Sequence, residues 1–253
     1  MHDPTDPAIV LVHGWGGSPD AWQPVVERWP GPHALVPVAL PAAPVAGAPD
    51  DPPTVEGAVR ATVRLLESSG TGPAVLVGHS MGAQVTLRIA VERPDLVHRE
   101  VVIDPAYGMP DGEAATIAAW ADEIERRGAA ALLPFFEGAF SPRTPGAVRE
   151  RVLADVTATP PAAMAGYLRS EYLGPRAVGT ARAAGRWLRR RTAPLLALHS
   201  TATGARFSTA HAGPHTEVHT LPGHGHYPHL EDPDRFCALL GDWLGAVSGQ
   251  RAG

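Results

Sequence analysis

No stretch constrains the fold of this chain more than residues 73–82, which read Pro73, Ala74, Val75, Leu76, Val77, Gly78, His79, Ser80, Met81, Gly82. Residues 74–77 are an apolar run suited to a strand, and residues 83–91 carry apolar side chains at helical spacing. The spacing predicts a strand, a sharp turn and a helix, with Ser80 at the apex. A serine in so tight a turn tolerates no bulky neighbours, and Gly78 and Gly82 let the strand and the helix approach each other behind it. The helix N-terminus then aims backbone N–H groups and its positive dipole end at the serine, where they favour a developing oxyanion. In this setting the G-x-S-x-G pattern reads as a nucleophile elbow.

The rest of the chain alternates between the periods of strand and helix. Residues 8–12 are apolar throughout and stop at His13 and Gly14, as in a strand buried on both faces. Ser18 and Asp20 can cap a first helix reaching Trp29, with Trp22, Val25, Val26 and Trp29 on one face. Residues 34–40 read as a second strand, which Pro37 assigns to a sheet edge. A loop rich in Pro, Ala and Gly at 41–53 leads into a helix over 54–68, and a fourth strand follows the elbow helix at 99–104. From 105 to 192 no strand pattern occurs; helical stretches are expected over 113–127, 129–136, 145–156, 161–172 and near 180–191. Strands resume at 194–199 and 217–221, and a last helix starts near Asp232 with Phe236, Leu239, Leu240, Trp243 and Leu244 at helical spacing.

Three segments in this order carry a family likeness: His13, Gly14, Trp15, Gly16 and Gly17; then Gly78 to Gly82; then Gly225, His226, Tyr227, Pro228, His229, Leu230 and Glu231. The sequence resembles the α/β-hydrolase fold superfamily, in particular its capped, serine-nucleophile esterases and lactonases. The strand-helix alternation and the resemblance together imply an α/β fold with a doubly wound, mainly parallel six-stranded sheet and helices on both faces. Crossovers would be right-handed and the spatial strand order two, one, three, four, five, six. Residues 1–104 would then form the first part of the core, 105–192 an inserted helical cap, and 193–253 the second part of the core. Ligands bind such sheets at the carboxyl ends of the strands, where Ser80, Asp104 and His226 fall.

A serine is a weak nucleophile at neutral pH and needs a base. His226, in the segment that matches the family's histidine loop, is the candidate; His224 is its nearest rival, while His13 and His79 suit packing roles. His229 reads as a solvated loop residue. The family's usual acid follows strand five, yet residues 200–206 contain neither Asp nor Glu. Asp104, at the end of strand four, occupies an alternative acid position found in some branches and can orient the imidazole. Glu217 and Glu231 are next in line, although Glu231 suits support of the last helix. The oxyanion donors implied are the backbone N–H groups of Trp15 and Met81. Residues suited to a substrate pocket are Trp15, His79, Tyr107, Trp120, Phe135, Phe136, Phe140 and Tyr167, with Met109 and Tyr172 nearby; part of this set is expected to pack internally instead. Arg186, Arg189, Arg190 and Arg191 read as a solvated face.

Composition narrows the partners. A formal net charge of -5 gives no general attraction to nucleic acid or to anionic membranes. The single cysteine, Cys237, can form no internal disulfide, and no signal segment or bilayer-spanning run is evident, so a cytoplasmic location is expected. His224, His226 and His229 lack the spacing of a zinc site, and neither metal nor other cofactor is called for. The reading is a serine hydrolase acting on a small-molecule ester, thioester or lactone, mainly apolar, through an acyl-enzyme on Ser80. The alternatives on the same fold are a lyase, cyclase or acyltransferase, or a small-molecule receptor with little turnover.

Overall fold

The computed structural model describes residues 6–42, 51–70 and 72–249, so most of the loop expected at 41–53 lies outside the described residues. Six strands, β1 (Ile9–Val12), β2 (Leu35–Val38), β3 (Ala74–His79), β4 (Val97–Ile103), β5 (Leu195–His199) and β6 (Thr216–Thr220), form one sheet in the order β2-β1-β3-β4-β5-β6. Every pairing is parallel. Pro37 does sit in the edge strand β2, opposite Leu11, where a missing N–H breaks no ladder on the outer side.

The helices are α1 (Gln23–Arg28), α2 (Val55–Ser69), α3 (Met81–Glu92), α4 (Ala114–Arg127), α5 (Leu133–Gly138), α6 (Gly146–Ala158), α7 (Pro161–Tyr172), α8 (Ala181–Leu188), α9 (Ala202–Ala210), α10 (Pro228–Glu231) and α11 (Pro233–Gly249). Alternation along the strands divides the core. Ile9, Leu11, Val75 and Val77 face one side and pack with Trp22, Val25, Phe236, Leu240 and Trp243 from the α1 and α11 side. Val10, Val12 and Leu76 face the other, against Val59, Leu66, Val85 and Ile89 of α2 and α3. The inner strands β1, β3 and β5 are therefore buried on both faces, which explains their nearly unbroken apolar runs.

Several boundaries differ from the sequence reading. The first helix begins as a 3-10 turn at Pro19–Trp22 and ends at Arg28, and Ser18 does not cap it; its hydroxyl donates to Asp155 at 2.8 Å instead. Helix α9 was not expected. Arg191 leaves the solvated face, its side chain 3% exposed and 3.8 Å from Glu100. Between β4 and β5 the chain is helical, α4 to α8, with only an isolated bridge between Met109 and Thr180. This insert is strapped to the core by Arg88 of α3, which is buried and pairs with Glu56 of α2 at 2.7 Å and with Glu92; Arg176 of the insert joins Glu56 at 3.2 Å. Among the described residues no helix is long and apolar enough to cross a membrane.

Candidate active site

Ser80 lies between the end of β3 and the first residue of α3 with φ 53° and ψ −116°, a conformation strained for any residue with a side chain. Its N–H donates to the Ile103 carbonyl at 2.9 Å and its own carbonyl accepts from Ala106 N–H at 3.1 Å, so β4 and the turn after it hold it on both sides. A Cβ on Gly82 would overlap the backbone carbonyl oxygens of Val12 and His13, the latter at 2.7 Å; this explains why the helix can start directly against the end of β1. The same closeness brings the glycine-rich loop after β1 to the serine: a Cβ on Gly14 would stand 3.1 Å from Ser80 Cβ. Met81 is the first residue of α3, so its N–H is one of those that no intrahelical carbonyl can reach.

Asp104, also at positive φ (39°), follows β4 and is buried. Ser200, the first residue beyond β5, holds its carboxylate: the Ser200 N–H donates to Oδ1 at 2.7 Å and the hydroxyl donates to Oδ2. His226 Nδ1 stands 3.5 Å from Asp104 Oδ2. Burial alone would raise the Asp104 carboxyl, but the hydrogen bonds from His226 and Ser200 and the nearby imidazole outweigh it and hold the group below the usual carboxylate range. With Nδ1 turned to the carboxylate, the other ring nitrogen of His226 is free to act as an acceptor. The His226 backbone is pinned as well, its N–H donating to the Ala139 carbonyl at 2.8 Å and its carbonyl accepting from His79 Nε2 at 2.8 Å.

Ser80 and His226 border one cavity of about 290 Å³, together with His13, Gly14, Trp15, His79, Trp120, Phe135, Phe136, Leu168, Glu171 and Tyr172. Its roof is an aromatic cluster in which Trp15 packs on Trp120, Phe135 and Phe136 with ring centroids 5.4, 5.9 and 5.6 Å apart. The Trp15 indole N–H donates to the Met164 carbonyl of the insert at 2.9 Å. Thus the loop after β1 carries both the ring that floors the insert and a glycine backbone packed close to Ser80.

The neighbouring histidines differ from His226 in burial, in partners or in placement. Burial lowers the His79 imidazole well below its ordinary value, with the adjacent His229 and His226 adding to the effect, and its Nε2–H is committed to a carbonyl. Burial lowers His13 to about 4, and its Nδ1–H donates to the Gly14 carbonyl. His224 directs Nδ1 at the Leu221 carbonyl, 3.2 Å away, and borders a separate, open groove rather than the cavity at Ser80. His229 is not a solvated loop residue: it is 2% exposed, stacked between Trp22 and His79, and burial lowers it to about 3. Among the described residues no group of three or more His, Cys, Asp or Glu is placed to hold a metal ion.

Comparison with known proteins agrees with this architecture. Residues 9–239 match the family model described as "Alpha/beta hydrolase family". The chain belongs to the α/β-hydrolase family. Over 115 residues it is 34% identical to Lipase LipV of Mycobacterium tuberculosis, an alignment covering 43% of this chain and 41% of that one. Matches to curated relatives of this α/β-hydrolase span only 18% to 41% of their length. Among solved structures, a thermophilic esterase from Thermogutta terrifontis superposes with a TM-score of 0.81 at 20% identity, covering 96% of this chain and 90% of that one. Est816, described as an N-acyl homoserine lactone degrading enzyme, gives 0.74 at 19% identity over 94% and 93%. At these identities the likeness concerns the fold.

Within this α/β-hydrolase the other candidates are distributed unevenly. Trp15, His79, Trp120, Phe135 and Phe136 border the cavity. Tyr107 and Phe140 instead line the open groove on the far side of His226, where the Tyr107 hydroxyl donates to the Ala83 carbonyl at 2.7 Å. Tyr167 is a correction: it is 5% exposed, packed in the core, and its hydroxyl donates to the Pro41 carbonyl at 2.8 Å. Tyr172, further along the same helix, reaches the cavity. Glu231 does not cap the last helix, a role taken by Asp232, whose Oδ1 accepts from Arg235 N–H. It accepts from Gly225 N–H and from Thr144 and Ser141 of the insert, tying the histidine loop to the segment between α5 and α6. Glu217 is exposed and paired with His219. Two residues of the site carry no motif in the sequence, Ser200, which stands directly after β5 where an acid is usual, and Glu171.

Proposed function

We propose that this protein is a serine hydrolase that cleaves a mainly apolar carboxylic ester or lactone through an acyl-enzyme on Ser80, with α4 to α8 acting as the cap over the acyl pocket. The observation that carries the reading is the arrangement of Asp104, fixed by Ser200, facing His226 Nδ1 at 3.5 Å while His226 and Ser80 share one apolar cavity. Such a spacing is loose for a hydrogen bond, as is common before substrate closes a site.

In the reaction, Ser80 Oγ attacks the acyl carbonyl while His226 takes the hydroxyl proton, and Asp104 stabilises the imidazolium that results. The carbonyl oxygen becomes an oxyanion received by the N–H groups of Met81 and Trp15. Collapse breaks the acyl–oxygen bond, and His226 returns its proton to the departing alkoxide. Water then loses a proton to His226, attacks the acyl-enzyme and releases the carboxylic acid, restoring Ser80. None of these steps uses a cofactor.

The test is turnover of aryl esters, alkyl esters, thioesters and lactones by the wild type and by Ser80→Ala. Release of acid by the wild type that disappears in the folded Ser80→Ala variant is the expected result. Equal release by both proteins would remove Ser80 from the chemistry. A wild type that is silent on the whole panel would overturn the hydrolase reading for these acyl classes.

A further inference from the structure

One group on the cavity wall has no part in acyl transfer. Glu171, in the last turn of α7, is 3% exposed and borders the same cavity as Ser80, among Met109, Ile117, Leu168 and Tyr172. No ion pair to it occurs among the described residues. Its side chain is hydrogen-bonded by Gln84 Nε2 at 3.2 Å. Gln84 is held in turn: the same Nε2 donates to the Ala106 carbonyl at 2.7 Å, so exchanging its nitrogen and oxygen would set carbonyl against carbonyl. Its Oε1 is buried without a partner.

These contacts fix where the carboxyl lies relative to the chemistry. Gln84 is one helical turn beyond Ser80 on α3, about 6 Å along the helix. Ala106, whose carbonyl anchors Gln84, donates its own N–H to the Ser80 carbonyl at 3.1 Å. Glu171 is thus linked through Gln84 and Ala106 to the elbow, on the wall of the cavity that Ser80 borders. Burial pushes its carboxyl up to about 8, so at neutral pH it carries a proton and can donate as well as accept. A polar group left in an apolar cavity costs about 1–3 kcal/mol unless something pairs with it, and leucine would fill the place at no such cost.

We propose that Glu171, braced by Gln84, is a specificity-determining residue that selects acyl groups carrying a neutral oxygen, keto or hydroxyl, several bonds from the scissile carbonyl. The proposal rests on the reading of the Ser80 cavity as an acyl pocket. A neutral oxygen fits better than an ammonium group, which would shed its hydration among Met109, Ile117 and Leu168 with a single carboxyl to compensate it.

The experiment steps an oxo group one carbon at a time along the chain of a hexanoyl aryl ester and compares kcat/KM with that of the plain hexanoyl ester, in wild type, Glu171→Gln and Glu171→Leu. The matching primary amides, which leave no activated bond to cleave, are titrated calorimetrically in parallel. In the wild type, one oxo position should gain at least about tenfold over the alkyl chain in turnover and in Kd, equal to about 1.4 kcal/mol. Glu171→Gln, still a donor, should keep a preference at that position, and in Glu171→Leu the oxo-to-alkyl ratio should fall to one or below. If the leucine variant does not fold, the wild-type series decides alone: no gain at any position, in turnover or in binding, overturns the proposal, as does a gain confined to ammonium-bearing chains. Oxo-selective binding without any turnover would leave this site standing while the hydrolase reading falls.

Discussion

Replacing Glu171 with glutamine keeps the shape of the side chain and the acceptor for Gln84 but removes a titratable proton, and its effect on stability can be worked out in advance. In the folded chain burial raises this carboxyl from 4.5 to about 8. Above its unfolded value the unfolded chain is ionised while the folded chain still holds the proton, so unfolding releases a proton and stability falls as pH rises from 4.5 to about 8, then levels off. At about 1.36 kcal/mol per pH unit the whole span is on the order of 5 kcal/mol. The part between about pH 5 and about pH 7.5 is about 3 kcal/mol. Glutamine carries no such dependence, so Glu171→Gln should gain about 3 kcal/mol on the wild type across that interval, whatever constant offset separates the two. Urea unfolding followed by tryptophan fluorescence at the two pH values measures it, and every other titrating group cancels in the difference. A difference that stays constant to within about 0.5 kcal/mol would show Glu171 ionised in the folded state and refute the argument from burial.

Three further outcomes follow from the geometry. Asp104→Asn should lower kcat by three to four orders of magnitude, because the amide cannot stabilise the imidazolium, whereas Ser200→Ala should lose roughly tenfold to a hundredfold, the worth of one hydrogen bond to a charge; steady-state kinetics on one reactive ester checks both, and a near-normal rate for Asp104→Asn would move the acid elsewhere. Gly82→Ala sets a methyl group against the backbone carbonyls of Val12 and His13, neither of which can yield without moving β1, so unfolding free energy should fall by more than about 3 kcal/mol, read as a lower urea midpoint; a wild-type midpoint would show that the β1 end is compliant.

The inner strands β1, β3 and β5 were legible because burial on both faces leaves nearly unbroken apolar runs, and Ser80 and Asp104 directly follow β3 and β4. What escaped has local reasons. Helix α9 consists of Ala, Thr, Gly and Ser apart from Arg206 and Phe207, with Ser208 as its only buried position, so no apolar stripe announces it. Tyr167 and Tyr172 both lie on α7 but five residues apart, well round the helix from each other, and only the tertiary position of the insert decides which one meets the cavity. His229 and Glu231 are polar residues in the histidine loop; the burial of His229 depends on Trp22 and the hydrogen bonding of Glu231 on Thr144, which are far away in sequence. Glu171 reads as the polar face of its helix because a carboxyl buried without a counter-charge is contrary to every compositional expectation.

Ser80 and Asp104 are, among the described residues, the non-glycine positions with positive φ. Each conformation costs on the order of 1–3 kcal/mol, a cost that glycine would not incur. Under the proposed function, a library of variants ranked by heat resistance alone would therefore reward glycine at position 80 and enrich for proteins that outlast the parent without turnover, whereas at position 104 the gain is opposed by the loss of the hydrogen bonds from Ser200. Improvement of this scaffold has to be scored on catalysis and endurance together, since on that reading the backbone position that glycine would relax is the one that carries the nucleophile.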